Sequence, residues 1–144
     1  TIIRTIKNLK VPIYGDGKQI RSWIYADDHV NAIQSLILKG KPGSVYNITS
    51  YEEISNKIIV EKILDIMNIS HEMIEFVPDR PGHDKRYSID SSKIENEIDW
   101  KPQYNFDEAL QKTVTWYLEN KNWWIPLIND KVLHPQPWTL NWSK

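Results

Sequence analysis

No helix or strand can run unbroken through Asp79-Arg80-Pro81-Gly82-His83-Asp84-Lys85-Arg86-Tyr87. Pro81 fixes φ and lacks an N–H, and Gly82 accepts φ > 0, so the chain turns there. Whatever lies on either side must be short elements that present this loop. Three cations, two carboxylates and an imidazole share it, and a turn can aim Arg80, His83 and Arg86 at one point. Guanidinium forks suit phosphate oxygens, and imidazole adds a donor that titrates near neutrality. The residues alone leave two readings open: an anion or nucleotide site, or a solvated charged turn.

The chain before the loop alternates strand and helix signals. Ile2, Ile3, Ile6 and Leu9 recur at helical spacing. Val11-Pro12-Ile13-Tyr14 reads as a short edge strand and Gly15–Gln19 as a turn. Residues 20–25 alternate as a half-buried strand that puts Arg21 on the face opposite Ile20. Asp27 or Asp28 caps a helix over 28–39, with Val30, Ile33, Leu36 and Ile37 as its apolar stripe and Gly40 as its stop. Val45–Ile48 reads as a strand. Ser55 caps a well-buried helix over 56–68, and 73–77 is a further strand.

After the loop, Asp90 caps a short helix carrying Ile94 and Ile98. Asn105 and Glu108 form a capping-box variant that opens a helix ending near Asn120. Residues 123–144 hold three prolines and no helical period, which predicts an extended tail held by its tryptophans. A boundary near residue 122 therefore separates the main domain, 1–122, from that tail.

Composition excludes several classes. A chain of 144 residues fits one domain, and a net charge of −1 offers no basic field for nucleic acid. No apolar run reaches the roughly 18 residues of a membrane span. The absence of cysteine rules out disulfides and thiolate metal sites and suits a reducing cytoplasm. Two Tyr-x-x-x-Lys matches, Tyr14 with Lys18 and Tyr117 with Lys121, fall on a turn and at the end of a surface helix, so neither reads as catalytic. Gly15-x-Gly17 lacks the third glycine of a dinucleotide fingerprint and leads into a strand. Asp27-Asp28-His29 reads as an acid-rich helix start rather than a metal site.

Taken in order, Pro12–Arg21, Trp23-Ile24-Tyr25, Asp28-His29, Tyr46-Asn47-Ile48, Asp79–Tyr87 and Trp116-Tyr117-Leu118 resemble the C-terminal portion of the dTDP-glucose 4,6-dehydratases, a branch of the extended short-chain dehydrogenase/reductase family. Asp-Arg-Pro-Gly-His-Asp is the most specific match. Gly-Asp-Gly-x-x-x-Arg also occurs in sibling nucleotide-sugar epimerases and decarboxylases, which stay open as alternatives, as does a non-catalytic nucleotide-binding module. Ser22 stands where the family usually has Asp.

The resemblance implies an α/β fold: the substrate-binding part of a Rossmann-type enzyme whose N-terminal NAD-binding half is absent. It implies that Pro12, Ile13 and Tyr14 line the nucleotide pocket, that Arg21 and Arg80 hold the diphosphate, that Asn47 is a polar contact near it, and that His83 sits by the nucleotide. Asp79, Pro81 and Gly82 complete that substrate-binding set. The reaction implied is NAD-dependent dehydration of a dTDP-sugar by a cytoplasmic homodimer. NAD, the catalytic Tyr-x-x-x-Lys and an Asp-Glu acid pair belong to the half this chain lacks, so the chain alone is expected to be inactive. Val45–Ile48 would then join the missing sheet, and the 28–39 helix would expose its apolar stripe.

Overall fold

Val11 and Ile13 point into one apolar cluster with Val60 and Leu64, and that contact organises the chain. They lie on β1 (Val11–Tyr14), which follows the short helix α1 (Ile2–Ile6). The computed structural model describes residues 1–140. In chain order the elements after β1 are β2 (Ile20–Ser22), α2 (Ala26–Lys39), β3 (Glu53–Ser55), α3 (Asn56–Ile66), β4 (Ile74–Val77), β5 (Arg86–Tyr87), α4 (Ser92–Ile98), α5 (Phe106–Glu119), α6 (Lys121–Trp124) and α7 (Asp130–Leu133).

β1 pairs in parallel with β4, Val11 opposite Ile74 and Tyr14 opposite Val77. A parallel pair needs a crossover, and α3 supplies it. Ser55 caps α3 as expected, its hydroxyl accepting the Ile58 N–H. One side of α3 covers β1 through Val60 and Leu64. The other meets α5 and α1, where Ile59 and Ile63 join Phe106, Val114 and Ile2. Burial of these side chains contributes on the order of 1.5–3 kcal/mol each. The second sheet runs β3-β2-β5, antiparallel on one side of β2 and parallel on the other. A third cluster joins Ala32 of α2 to Ile94, Ile98 and Trp100.

Several expectations are corrected. Neither acid caps α2: its N-cap is Tyr25, and Asp28 is buried within the first turn, accepting the Gln103 and Tyr104 N–H groups. An acid in a first turn can leave the helix axis for other donors when the fold brings a loop to it. β2 stops at Ser22, short of the expected Tyr25. Asp90 sits one residue before the N-cap of α4, Ser91, and its carboxylate accepts the Ser92 N–H instead. Residues 45–48 form no ladder, because no strand lies beside them among the described residues. Tyr46 and Ile48 pack on the third cluster while Val45 faces outward.

The C-terminal segment is not extended. It folds as α6, α7 and two 3₁₀ turns, Ile125–Leu127 and Pro137–Thr139. Pro126 and Pro137 fall in the first turns of those 3₁₀ segments, where a missing N–H costs nothing. Tryptophans do anchor this segment: Trp124 is buried with its indole N–H on the Tyr117 carbonyl, and Trp138 meets Tyr14 edge-on. Its last four positions, 141–144, lie outside the described residues. Of the apolar stripe expected on α2, Val30, Ile33 and Ile37 are exposed, Ile37 at 77%, and Leu38 at 80% adjoins them, but Leu36 packs on the third cluster instead.

Candidate functional site

β1 and β4 are parallel, so the loops that leave their carboxyl ends emerge side by side. Such an edge is where α/β proteins place ligands. The Gly15 N–H reaches the Val77 carbonyl at 3.0 Å, zipping the two loops together for one residue beyond the strands. Gly15 has φ +58, and a Cβ there would stand 2.9 Å from the Asp79 carboxylate. The glycine therefore makes room for the acid. The turn's far end is tied down by the first N–H groups of α3, Asn56 to the Gln19 carbonyl and Lys57 to that of Gly17.

Asp79 is the hub of the site. Its Oδ1 accepts from the Arg80 N–H at 2.8 Å and lies 2.6 Å from Nδ1 of His83. Its Oδ2 accepts from the side-chain amide of Gln19 at 3.0 Å. These donors, His83 foremost, hold the Asp79 carboxyl below the usual carboxylate range. Asp79, His83, Gln19 and Lys85 line a cavity of about 430 Å³. Pro12, Ile13 and Tyr14 line a neighbouring cavity of about 360 Å³ with Arg4 and His134. The Ile13 side chain, 2% exposed, is committed to the core. Tyr14 stands between the two groups, its ring 6.5 Å from His83 and 4.4 Å from Trp138. Burial pushes its phenol up, against the opposing pull of Arg4 and Arg80.

Arg21 reaches the same loop from β2. Its guanidinium donates to the Ile20 and Asp84 carbonyls at 2.6 and 2.9 Å and lies 4.3 Å over the Tyr87 ring. The Tyr87 hydroxyl donates to the Asp84 carboxylate, which raises its pKa, while Arg21 and Arg80 both pull it back. The Arg80 guanidinium has no hydrogen-bond partner among the described residues. Pro81 and Gly82 form the exposed tip of the loop, with open space beside Gly82.

Two residues do not join this group. Asn47 donates to the Asp90 carbonyl at 3.0 Å, in the segment that packs on α4. Arg86, expected to aim with Arg80 and His83, is bound bidentately to Glu53 at 2.6 and 2.7 Å, tying β5 to β3. Gln19 and Trp138 fall outside the site the sequence predicts, and Asp84 and Tyr87 enter it there only as members of the Asp79–Tyr87 loop. The alternation that sets Arg21 against Ile20 also places Gln19 on the side of Arg21, and that was the available signal for Gln19.

Arg86 and Ser88 hold the Glu53 carboxyl down at about 2, from an ordinary value of 4.5. An acid depressed by folding stabilises above its unfolded pKa, and that contribution is lost as pH falls through the folded one. The expected outcome is that wild type loses more urea resistance than Glu53→Gln between pH 4.5 and about 2. Parallel urea midpoints through that window would contradict the assignment.

The Gly15–Gly17 turn leads from strand to strand, without the helix N-terminus that cradles a pyrophosphate. No cluster of three His, Asp or Glu suited to a metal occurs among the described residues, and no helix there is long and apolar enough to cross a membrane.

The family model described as GDP-mannose 4,6 dehydratase matches residues 1–113. A probable dTDP-glucose 4,6-dehydratase of Sinorhizobium fredii is 45% identical over 138 residues, 91% of this chain and 39% of that protein. The crystal structure of dTDP-glucose 4,6-dehydratase from Bacillus anthracis, in complex with NAD, superposes with a TM-score of 0.83 at 42% identity, over 88% of this chain and 40% of that one. The dTDP-glucose 4,6-dehydratase of Streptomyces venezuelae, also with NAD bound, gives a TM-score of 0.84 at 37% identity, over 88% and 39%. The chain thus spans about two fifths of the length of these relatives.

Proposed function

Because the chain belongs to the family described as GDP-mannose 4,6 dehydratase, and its fold matches the extended short-chain dehydrogenase/reductase dehydratases, we propose that it forms the nucleotide-sugar side of a dTDP-glucose 4,6-dehydratase. In this reading it binds dTDP-glucose in the cytoplasm as part of a longer, dimeric enzyme, and the chain alone is inactive. NAD and the reacting groups would be carried outside these residues, so no chemical step is assigned to this chain.

One observation carries the reading: Arg21, fifty-nine positions before Arg80 in sequence, reaches the loop that holds Arg80, its guanidinium 2.9 Å from the Asp84 carbonyl and 4.3 Å over the Tyr87 ring. A diphosphate needs two cations from one side, and the guanidinium fork supplies paired donors for each phosphate. Arg21 spends two donors on carbonyls and retains the others. Arg80 has its whole fork available. Tyr14, His83 and Asp79 flank the place where the nucleoside would lie. Pro12 and Pro81–Gly82 shape the rim. Asn47 keeps a role only if the diphosphate or sugar extends toward the segment after α2.

Isothermal titration calorimetry with dTDP tests this. Arg80→Met and Arg21→Met are each expected to weaken binding about 10- to 100-fold, the size of lost charge-assisted hydrogen bonds. Thymidine, which has no phosphates, should respond to neither. Equal dTDP affinity in wild type and both variants would remove the diphosphate assignment.

A further inference from the structure

Gln19 is 7% exposed, and its amide nitrogen donates to Oδ2 of Asp79 at 3.0 Å. Its Oε1 is buried with no partner among the described residues. A buried acceptor left unpaired is costly, and a purely structural position would be served by an apolar side chain of the same size. The nitrogen donates to Asp79 at 3.0 Å and, more weakly, to the Tyr14 carbonyl at 3.4 Å, so the carboxylate is its shorter contact.

Four groups are fitted to that carboxylate. Gly15 adopts a positive φ and clears the space a Cβ would take from Oδ2. The Arg80 N–H and the Gln19 amide hold one oxygen each. His83, its side chain 6% exposed, places Nδ1 2.6 Å from Oδ1. A carboxylate only accepts, so Nδ1 must carry the proton. In neutral imidazole that makes Nε2 the acceptor. The other ionisable groups around this ring are Tyr14, beside it, and Asp16, Lys18 and Lys85 in the same cavity.

We propose that Gln19 is a positioning residue for nucleotide binding: it locks Asp79, and Asp79 fixes the orientation and tautomer of His83. The proposal deepens the nucleotide-site reading above and rests on it for the ligand. Released from Gln19, the Asp79 carboxylate can swing toward the exposed loop, and His83 loses the partner that chooses its tautomer.

The test uses the 144-residue chain labelled with ¹⁵N. In wild type, ring ¹H–¹⁵N spectra should find His83 with Nδ1 protonated. Gln19→Met, equal in length but without a donor, should give mixed tautomers and about tenfold weaker dTDP binding. In an Asp79→Ala background, which offers Gln19 no side-chain acceptor, the same change should add little to the loss of dTDP binding, because the Tyr14 carbonyl is then the amide's one weak partner; independent packing losses would add. Should the methionine variant not fold, Gln19→Asn, one methylene too short to reach Asp79, is read in the same way. A single His83 tautomer in the Gln19 variants, or additive losses in the double variant, overturns the proposal. Absence of dTDP binding by wild type would instead overturn the nucleotide reading, with the ring spectra still deciding the role of Gln19.

Discussion

Asp28→Ala is expected to lower the unfolding free energy by about 3 kcal/mol or more, enough to unfold a marginal domain. Asp28 is 1% exposed and accepts the Gln103 and Tyr104 N–H groups at 3.0 and 3.2 Å. Truncation removes two part-buried hydrogen bonds to a charged acceptor, each worth about 1.5–3 kcal/mol, and leaves a small cavity as well. The two N–H groups belong to the connection between Trp100, in the third cluster, and Phe106, which starts α5 in the first. Without the carboxylate, that connection loses its tie to α2. Asp27→Ala is the control, because Asp27 precedes it on the same helix but is exposed, and should change stability by no more than about 0.5 kcal/mol. Urea denaturation measures both. Equal midpoints for the two variants would mean that Asp28 does no more than favour the helix dipole.

Why Asp28 escaped a sequence reading is instructive. An acid before an apolar helix reads as a cap because the helix start is a local feature, whereas Gln103 and Tyr104 lie some 75 positions away. The elements that were legible rest on local physics. Ser55 and Asn105 cap where their hydroxyl and amide meet a free N–H three residues on. Val11 and Ile13 alternate with Pro12 and Tyr14 because β1 has one buried face. Pairing was less legible. Glu53–Ser55 is three residues long and becomes a strand only by lying against β2. The same division runs through the site. Arg21, Arg80 and His83 carry donor chemistry that announces itself in sequence. Whether a guanidinium stays available does not: Arg86 looks as free as Arg80 until Glu53, thirty-three residues upstream, claims it.

Gly17→Ala should cost about 2–4 kcal/mol, and the comparison with Gly43→Ala separates its two causes. Both glycines have positive φ, +70 at Gly17 and +79 at Gly43. An L-residue in that region loses about 1–2 kcal/mol at either place. Gly43 has nothing within 4 Å of the added Cβ, so its loss should end there. At Gly17 the Cβ would fall 2.6 Å from Cγ2 of Ile13 and 2.9 Å from Cβ of Lys57. Neither can retreat cheaply. Ile13 is 2% exposed among Val11, Val60 and Leu64, and the Cβ of Lys57 is fixed by the first turn of α3. The turn itself must move, and it carries the carbonyls of Gly17 and Gln19 that accept the Lys57 and Asn56 N–H groups. Displacing it also displaces Gln19 from Asp79. Gly17→Ala is therefore expected to weaken dTDP binding even under conditions where the variant is fully folded, while Gly43→Ala binds as wild type does. Equal stability losses in the two variants would show that the clash is relieved by local adjustment, and that the turn is not the rigid seat the nucleotide site requires.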